Sequence, residues 1–178
     1  MKMEIVKKVD LKSFIADVPD FPKPGILFRD ICPLLADVNA YQTVVDNFLE
    51  HYADKKVDVI VGIESRGFIF ASSLAYAMKC PLALVRKPGK LPHPKVAHTY
   101  ELEYGTDTLE IHLDAIKPGA RVVVIDDLLA TGGTANATCQ LIEKMGGEVV
   151  EVAAVIELEA LNGRKCLEKY PVYCQVTY

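Results

Sequence analysis

The stretch 122–134, Val-Val-Val-Ile-Asp-Asp-Leu-Leu-Ala-Thr-Gly-Gly-Thr, limits the possible folds of the 178-residue chain more than any other. Val122, Val123, Val124 and Ile125 form a β-branched run with no polar alternation, which is the pattern of a strand covered on both faces. From Thr134 the spacing turns helical, predicting a helix over 134–145 that is closed by Gly146-Gly147. A buried strand that opens within a few residues into a helix is half of a β-α-β unit, so a parallel sheet is expected, not a sandwich or a bundle. Between the two elements lie a pair of acids and a pair of glycines, and neither is an obvious choice for stability.

The same alternation recurs upstream and downstream. Val44, Val45, Phe48, Leu49 and Tyr52 predict an amphipathic helix over about 40–53. A buried strand follows at 57–63, then a helix at 67–78 that is apolar nearly all round, as suits an element packed between layers, then a strand at 82–86. Pro88, Gly89, Pro92 and Pro94 predict a loop. Segments 95–103 and 107–113 flank Tyr104-Gly105-Thr106 and predict an antiparallel hairpin, and 148–157 predicts another strand. The expected fold is α/β, a mostly parallel central sheet with helices on both faces and a β-hairpin flap. No repeat or linker divides it, and 51% hydrophobic residues can build one core, so a single domain over 1–178 is expected.

Charge and cysteine usage exclude several classes. A formal charge of −4 argues against general affinity for nucleic acid, and any anionic ligand must be attracted by local groups. Cys32, Cys80, Cys139, Cys166 and Cys174 contain no Cys-x-x-Cys pair, so they are expected to be reduced packing residues. The four histidines show no metal spacing, and surface roles are expected for them. No apolar run approaches the ~20 residues of a membrane span, and residues 1–10 alternate charge with hydrophobe, so the expected location is cytoplasmic, with no membrane partner.

In such sheets ligands bind beyond the carboxyl ends of the strands. There Asp126 and Asp127 can accept hydrogen bonds from vicinal hydroxyls and favour positive charge developing nearby. Thr131, Gly132, Gly133 and Thr134 offer hydroxyls and backbone N–H groups at a helix start, a cradle for a phosphate dianion. Taken singly, the acids also read as solvated turn residues and Thr131 as an ordinary cap. Gly62-Ile-Glu64-Ser65-Arg66-Gly67 ends another predicted strand, where Arg66 can grip a diphosphate; Phe68 stands where a P-loop requires Lys, which excludes that motif. Arg86, Lys87 and Lys90 add cations to the Pro- and Gly-rich loop, as a mobile lid or as a solvated charge run. Residues 20–30 place Leu27 and Phe28 on an extended backbone able to cover a flat base, or to pack as a rigid arm.

The combination at 126–134 resembles the phosphoribosyl diphosphate signature of the type I phosphoribosyltransferases. Together with Glu64-Ser-Arg-Gly-Phe, Arg86-Lys-x-Gly-Lys-Leu-Pro, Leu102-Glu-Tyr-Gly and the 20–30 segment, it resembles the adenine-specific branch, over about 20–157. The resemblance implies transfer of a phosphoribosyl group from 5-phospho-α-D-ribose 1-diphosphate to adenine, giving AMP and pyrophosphate. It implies that Glu64, Ser65, Arg66, Arg86, Lys87, Lys90, Asp126 and Asp127 hold the diphosphate sugar, with Ala130, Thr131, Gly132, Gly133 and Thr134 on its 5-phosphate. It further implies that Leu27, Phe28, Arg29, Leu128 and Ala130 surround adenine, with residues 1–35 as a base-covering arm or hood. Glu103, Arg66, Asp126 and Asp127 would be catalytic, Glu103 as candidate acceptor of the adenine N9 proton or else a solvent-facing hairpin carboxylate, and Tyr104 would belong to the flap. Mg²⁺ would arrive on the diphosphate, with no dedicated protein metal site, and the partners would be small molecules and a second copy in a homodimer. Glu64 stands where many relatives carry Asp, which keeps the charge. A relative acting on another base, or a non-catalytic regulator sensing the same diphosphate sugar, are the alternative readings.

Overall fold

The computed structural model describes residues 9–101 and 105–178, which fall into two compact units, Met1–Glu50 and His51–Tyr178. The sequence expectation was one domain with an arm over 1–35; the division between units falls at Glu50/His51.

The smaller unit carries a two-stranded antiparallel ribbon, β1 (Ala16–Pro19) and β2 (Leu27–Asp30), with Pro19 opposite Leu27. Its connecting loop is closed by the Gly25 N–H, which donates to Asp20 Oδ1 at 2.7 Å, and by the Phe21 and Phe28 rings meeting edge to face at 5.1 Å. Neither strand was expected, because four residues each, interrupted by prolines, carry too little alternation to register as strands. A short helix α1 (Cys32–Ala36) leads into α2 (Val38–Tyr52), whose start is capped by Asp37 Oδ1, accepting from the N–H groups of Asn39 and Ala40 at 3.0 and 2.9 Å.

In the larger unit follow β3 (Val59–Ile63), α3 (Gly67–Met78), β4 (Leu82–Val85), β5 (Lys95–Glu101), β6 (Thr106–His112), β7 (Arg121–Leu129), α4 (Gly133–Lys144), β8 (Glu148–Glu157) and β9 (Val172–Thr177). Five strands form a wholly parallel sheet in the order β4-β3-β7-β8-β9, while β5 and β6 pair antiparallel as a separate hairpin. The step from β3 to β4 runs in one direction across the sheet and that from β7 to β8 in the other. Right-handed crossovers therefore place α3 and α4 on opposite faces, and the order reverses between β3 and β7. That reversal opens a crevice at the carboxyl ends of those two strands. Buried Val61, Ile63, Val122, Val124, Val152 and Ala154 build the centre of the core.

Three sequence expectations need correction. β7 does not stop at Ile125 but continues to Leu129, so Asp126 and Asp127 lie inside the strand, Asp126 in register with Ala154. Beyond Ile125, where the pairing with β3 ends, β8 alone supplies the pairing that acids by themselves would not predict. The packing role assigned to the cysteines holds for Cys139, whose thiol burial pushes up to about 12, but Cys32 and Cys166 are exposed. His51 is no plain surface residue: its ring stacks on Tyr173 at 3.8 Å and its Nε2 lies 2.6 Å from Glu151 Oε2.

Candidate active site

Where β7 ends, the chain leaves the sheet through Ala130 and the exposed Thr131, turns at Gly132 with φ of 81°, and enters α4 at Gly133. A positive φ of this size is open to glycine at no steric cost. The Asn136 N–H donates to the Gly132 carbonyl at 2.9 Å, so the amides before it sit in the first turn of α4, where a helix has no internal acceptors to offer. Asp126, Leu128, Ala130, Thr131, Gly132, Gly133 and Thr134 line a concavity of about 90 Å³, with Ala153 and Ala154 of β8 as part of its wall. Seven residues singled out in the sequence thus share one cup at a helix N-terminus, the place in a fold best suited to a phosphate.

The two acids are held differently. Asp126 is half-buried, and its Oδ1 accepts from the Asp127 N–H at 2.8 Å. Asp127 is 5% exposed. Arg66, the residue before α3, brings Nη2 to 2.8 Å from Asp127 Oδ2, close enough for a strong charge contact though out of line for a hydrogen bond. Burial raises the Asp126 carboxyl well above the ordinary range, and the neighbouring charge of Asp127 pushes it further. Burial also raises Asp127, against the lowering pull of Arg66. The pair therefore resists carrying two negative charges at once, and a cationic centre placed beside it would relieve both.

The loops after β3 and β4 come together around Glu64. Its Oε1 accepts from Arg86 Nη2 at 3.0 Å and its Oε2 from the Lys87 backbone N–H at 2.8 Å. Slight burial works against ionisation of Glu64, but these donors prevail and hold its carboxyl below the usual range. Arg86 also donates from Nη1 to the Lys90 carbonyl at 3.3 Å and lies over the Phe68 ring, so its guanidinium shapes the loop. Ser65 and Lys90 are exposed. Lys87 forms an ion pair with Asp107 of β6; the hydroxyl of Tyr100, across from Asp107 on β5, lies 3.4 Å from that carboxylate and 3.2 Å from the Thr134 hydroxyl. The hairpin thereby joins Lys87 to the rim of the cup. Tyr100 and Asp107 were not anticipated from the sequence; their only signal was their position across the hairpin.

Of the residues assigned to the base, Leu128 and Ala130 line the cup. In the smaller unit Leu27 is exposed, Phe28 is half-buried, and Arg29 is ion-paired with Asp17. Glu103 and Tyr104 lie outside the described residues. Among the described residues no group of three or more His, Cys, Asp or Glu side chains is arranged to hold a metal ion, and no helix is long and apolar enough to cross a membrane.

A parallel sheet with a concave loop opening into a helix after one strand and an arginine-bearing loop after its neighbour, at the reversal of strand order, is the arrangement of the α/β class whose ligands bind at the carboxyl ends of the strands. The family model of the phosphoribosyl transferase domain matches residues 34–176. The chain is 54% identical over 169 residues to the adenine phosphoribosyltransferase of Chloroflexus aurantiacus, covering 95% of this chain and 98% of that one. Among solved structures, the adenine phosphoribosyltransferase of Thermoanaerobacter pseudethanolicus superposes with a TM-score of 0.92 at 45% identity, over 94% of this chain and 98% of the other. The enzyme of Saccharomyces cerevisiae, complexed with an imino-altritol bisphosphate and adenine, gives 0.87 at 41% identity, over 93% and 96%. The chain belongs to the adenine phosphoribosyltransferase family.

Proposed function

We infer that the chain transfers the phosphoribosyl group of 5-phospho-α-D-ribose 1-diphosphate to adenine, releasing pyrophosphate and forming AMP. The observation that carries this reading is the cup of about 90 Å³ at the switch point, with Asp126 on its wall and Arg66 on the adjoining loop. The yeast relative, bound to adenine and a sugar bisphosphate analogue, supports it.

In this reading the 5-phosphate rests on the amides and hydroxyls of 130–134, and the ribose hydroxyls meet Asp126 and Asp127. The bond from C1 to the diphosphate oxygen breaks with its electron pair leaving on pyrophosphate, and adenine N9 bonds to C1. Positive charge that develops on C1 and the ring oxygen is met by the two carboxylates, which lose the cost of their mutual repulsion as it appears. Arg66, Lys87 and Lys90 steady the departing diphosphate, and Glu103 is the proposed acceptor of the N9 proton. No covalent intermediate on the protein is needed. Leu128 and Ala130, which line the cup, are proposed to contact the base, and Leu27, Phe28 and Arg29 are the base-binding residues proposed for the smaller unit.

Mg²⁺ is proposed to enter on the diphosphate as part of the substrate, where it neutralises the leaving oxygens. A hard cation held mainly by phosphate and water needs no cage of side chains, and Asp126, half-buried on the wall of the cup, is an acidic oxygen donor within it. A cytoplasmic location agrees with five free thiols, and exposed Tyr76 and Leu113 offer apolar surface for the proposed homodimer. The test is a steady-state assay with the diphosphate sugar and Mg²⁺ against adenine, hypoxanthine, guanine and orotate. Turnover of adenine alone is expected; turnover of orotate without adenine would overturn the assignment.

A further inference from the structure

The phosphate cup is backed by a segment that the reaction as described does not use. After β8 the chain makes two short 3-10 turns, Glu159–Leu161 and Gly163–Leu167, joined by Asn162 at φ of 53°. Gly163 is buried, and a methyl group on its Cα would stand 2.3 Å from the Ala130 carbonyl oxygen and 3.1 Å from Leu129 Cγ. Reciprocally, a methyl group on Gly132 would stand 2.3 Å from the Gly163 carbonyl oxygen. The two backbones touch with no space for a side chain on either, and the contact falls on residues that line the cup.

Arg164 fixes the turn in place. Its Nε and Nη2 donate to Glu157 Oε1 and Oε2, each at 2.7 Å, and its Nη1 donates to the Val172 carbonyl at 3.1 Å. Glu157 is 5% exposed, is the last residue of β8, and pairs in register with Leu129, the last residue of β7. The Leu158 N–H donates to the Leu129 carbonyl at 2.9 Å. The planar fork of an arginine on a carboxylate allows little rotation, so the turn is clamped to the two strand ends beside the cup. Backbone N–H groups bind an anion well only within a narrow range of distance and angle, and a loop containing two glycines has high intrinsic freedom.

We propose that Gly163 and Arg164 are positioning residues for the phosphate cup: they hold the 130–132 backbone at the spacing that grips the 5-phosphate, without touching substrate. The proposal rests on the cup being the site of the sugar 5-phosphate. The test is calorimetric titration of ribose 5-phosphate into the full-length protein, with steady-state kinetics alongside. Gly163→Ala is expected to weaken ribose 5-phosphate at least ~10-fold, equivalent to about 1.4 kcal/mol. Arg164→Lys, at a half-exposed side chain, keeps a charge beside the buried Glu157 but not the fork, and is expected to weaken binding roughly threefold, with Arg164→Gln weakening it up to about tenfold once its fold is verified by circular dichroism. KM for the diphosphate sugar should rise by the same factors, while kcat and the KM for adenine hold within about twofold. Unchanged ribose 5-phosphate affinity in Arg164→Lys and in folded Arg164→Gln and Gly163→Ala, with the wild type binding normally, would overturn the brace alone. Failure of the wild type to bind ribose 5-phosphate would overturn the cup and the brace together.

Discussion

Replacing Asp126 with Asn should make the protein more stable and much less active. Asn has the same size and keeps the oxygen that accepts the Asp127 N–H at 2.8 Å, so a hydrogen bond of ~1 kcal/mol is retained. What disappears is a half-buried charge beside a buried one. Relieving strained charge at a functional site commonly yields ~0.5–2 kcal/mol, and for a chain of this length each kcal/mol raises Tm by about 2–4 °C. The pH dependence has a definite sign. Because burial and Asp127 raise the folded-state value of Asp126, its protonation favours the fold below the unfolded value of about 3.9, and that contribution is lost as pH rises through the folded value. The stability difference between Asp126→Asn and wild type should therefore be small near pH 4 and widen toward pH 8. Calorimetric melts of the ligand-free proteins across that range measure it, while kcat should fall about 10²-fold if the carboxylate meets developing positive charge. A variant less stable than wild type at pH 8, or a gain independent of pH, would refute the account of the acid pair.

Gly132→Val requires a β-branched residue at φ of 81° against the Gly163 carbonyl; a strain of ~1–3 kcal/mol should reduce ribose 5-phosphate affinity roughly 10- to 100-fold in equilibrium binding. Arg66→Gln removes the cation from Asp127 and should lower stability by about 1–2 kcal/mol in denaturant melts, with KM for the diphosphate sugar rising at least ~10-fold. Asp107→Asn frees Lys87 from an exposed ion pair of ~0.5–1 kcal/mol, so inhibition by pyrophosphate should tighten about two- to fivefold with little change in Tm.

The larger unit was legible where pattern and packing agree. The helix Gly67–Met78 and the strand Glu148–Glu157 begin and end where the sequence placed them, because each is bounded by a sharp change in apolar pattern. The extension of β7 through Asp126 and Asp127 was not legible, since propensity disfavours acids in strands and only pairing with β8 holds them there. The loop that forms most of the cup could be read because its residues, 126–134, are contiguous, whereas the β8 wall could not. Gly163 and Arg164 could not, because their meaning lies in contacts with Ala130 and Glu157 that no spacing announces. Likewise, only the folded hairpin sets Tyr100 against Thr134.

The reversal of strand order between β3 and β7 has a consequence for what can be altered by mutation. The arginine-bearing loop and the cup spring from adjacent strands in register, Gly62 opposite Ile125, so their lateral offset is one interstrand spacing of about 4.8 Å, with β7 running on to Leu129 before the cup begins. That interval is a ruler made of main-chain hydrogen bonds, which side-chain substitution leaves nearly untouched. Either grip can be strengthened, weakened or rebuilt on its own loop, but the gauge between them is inherited from the sheet.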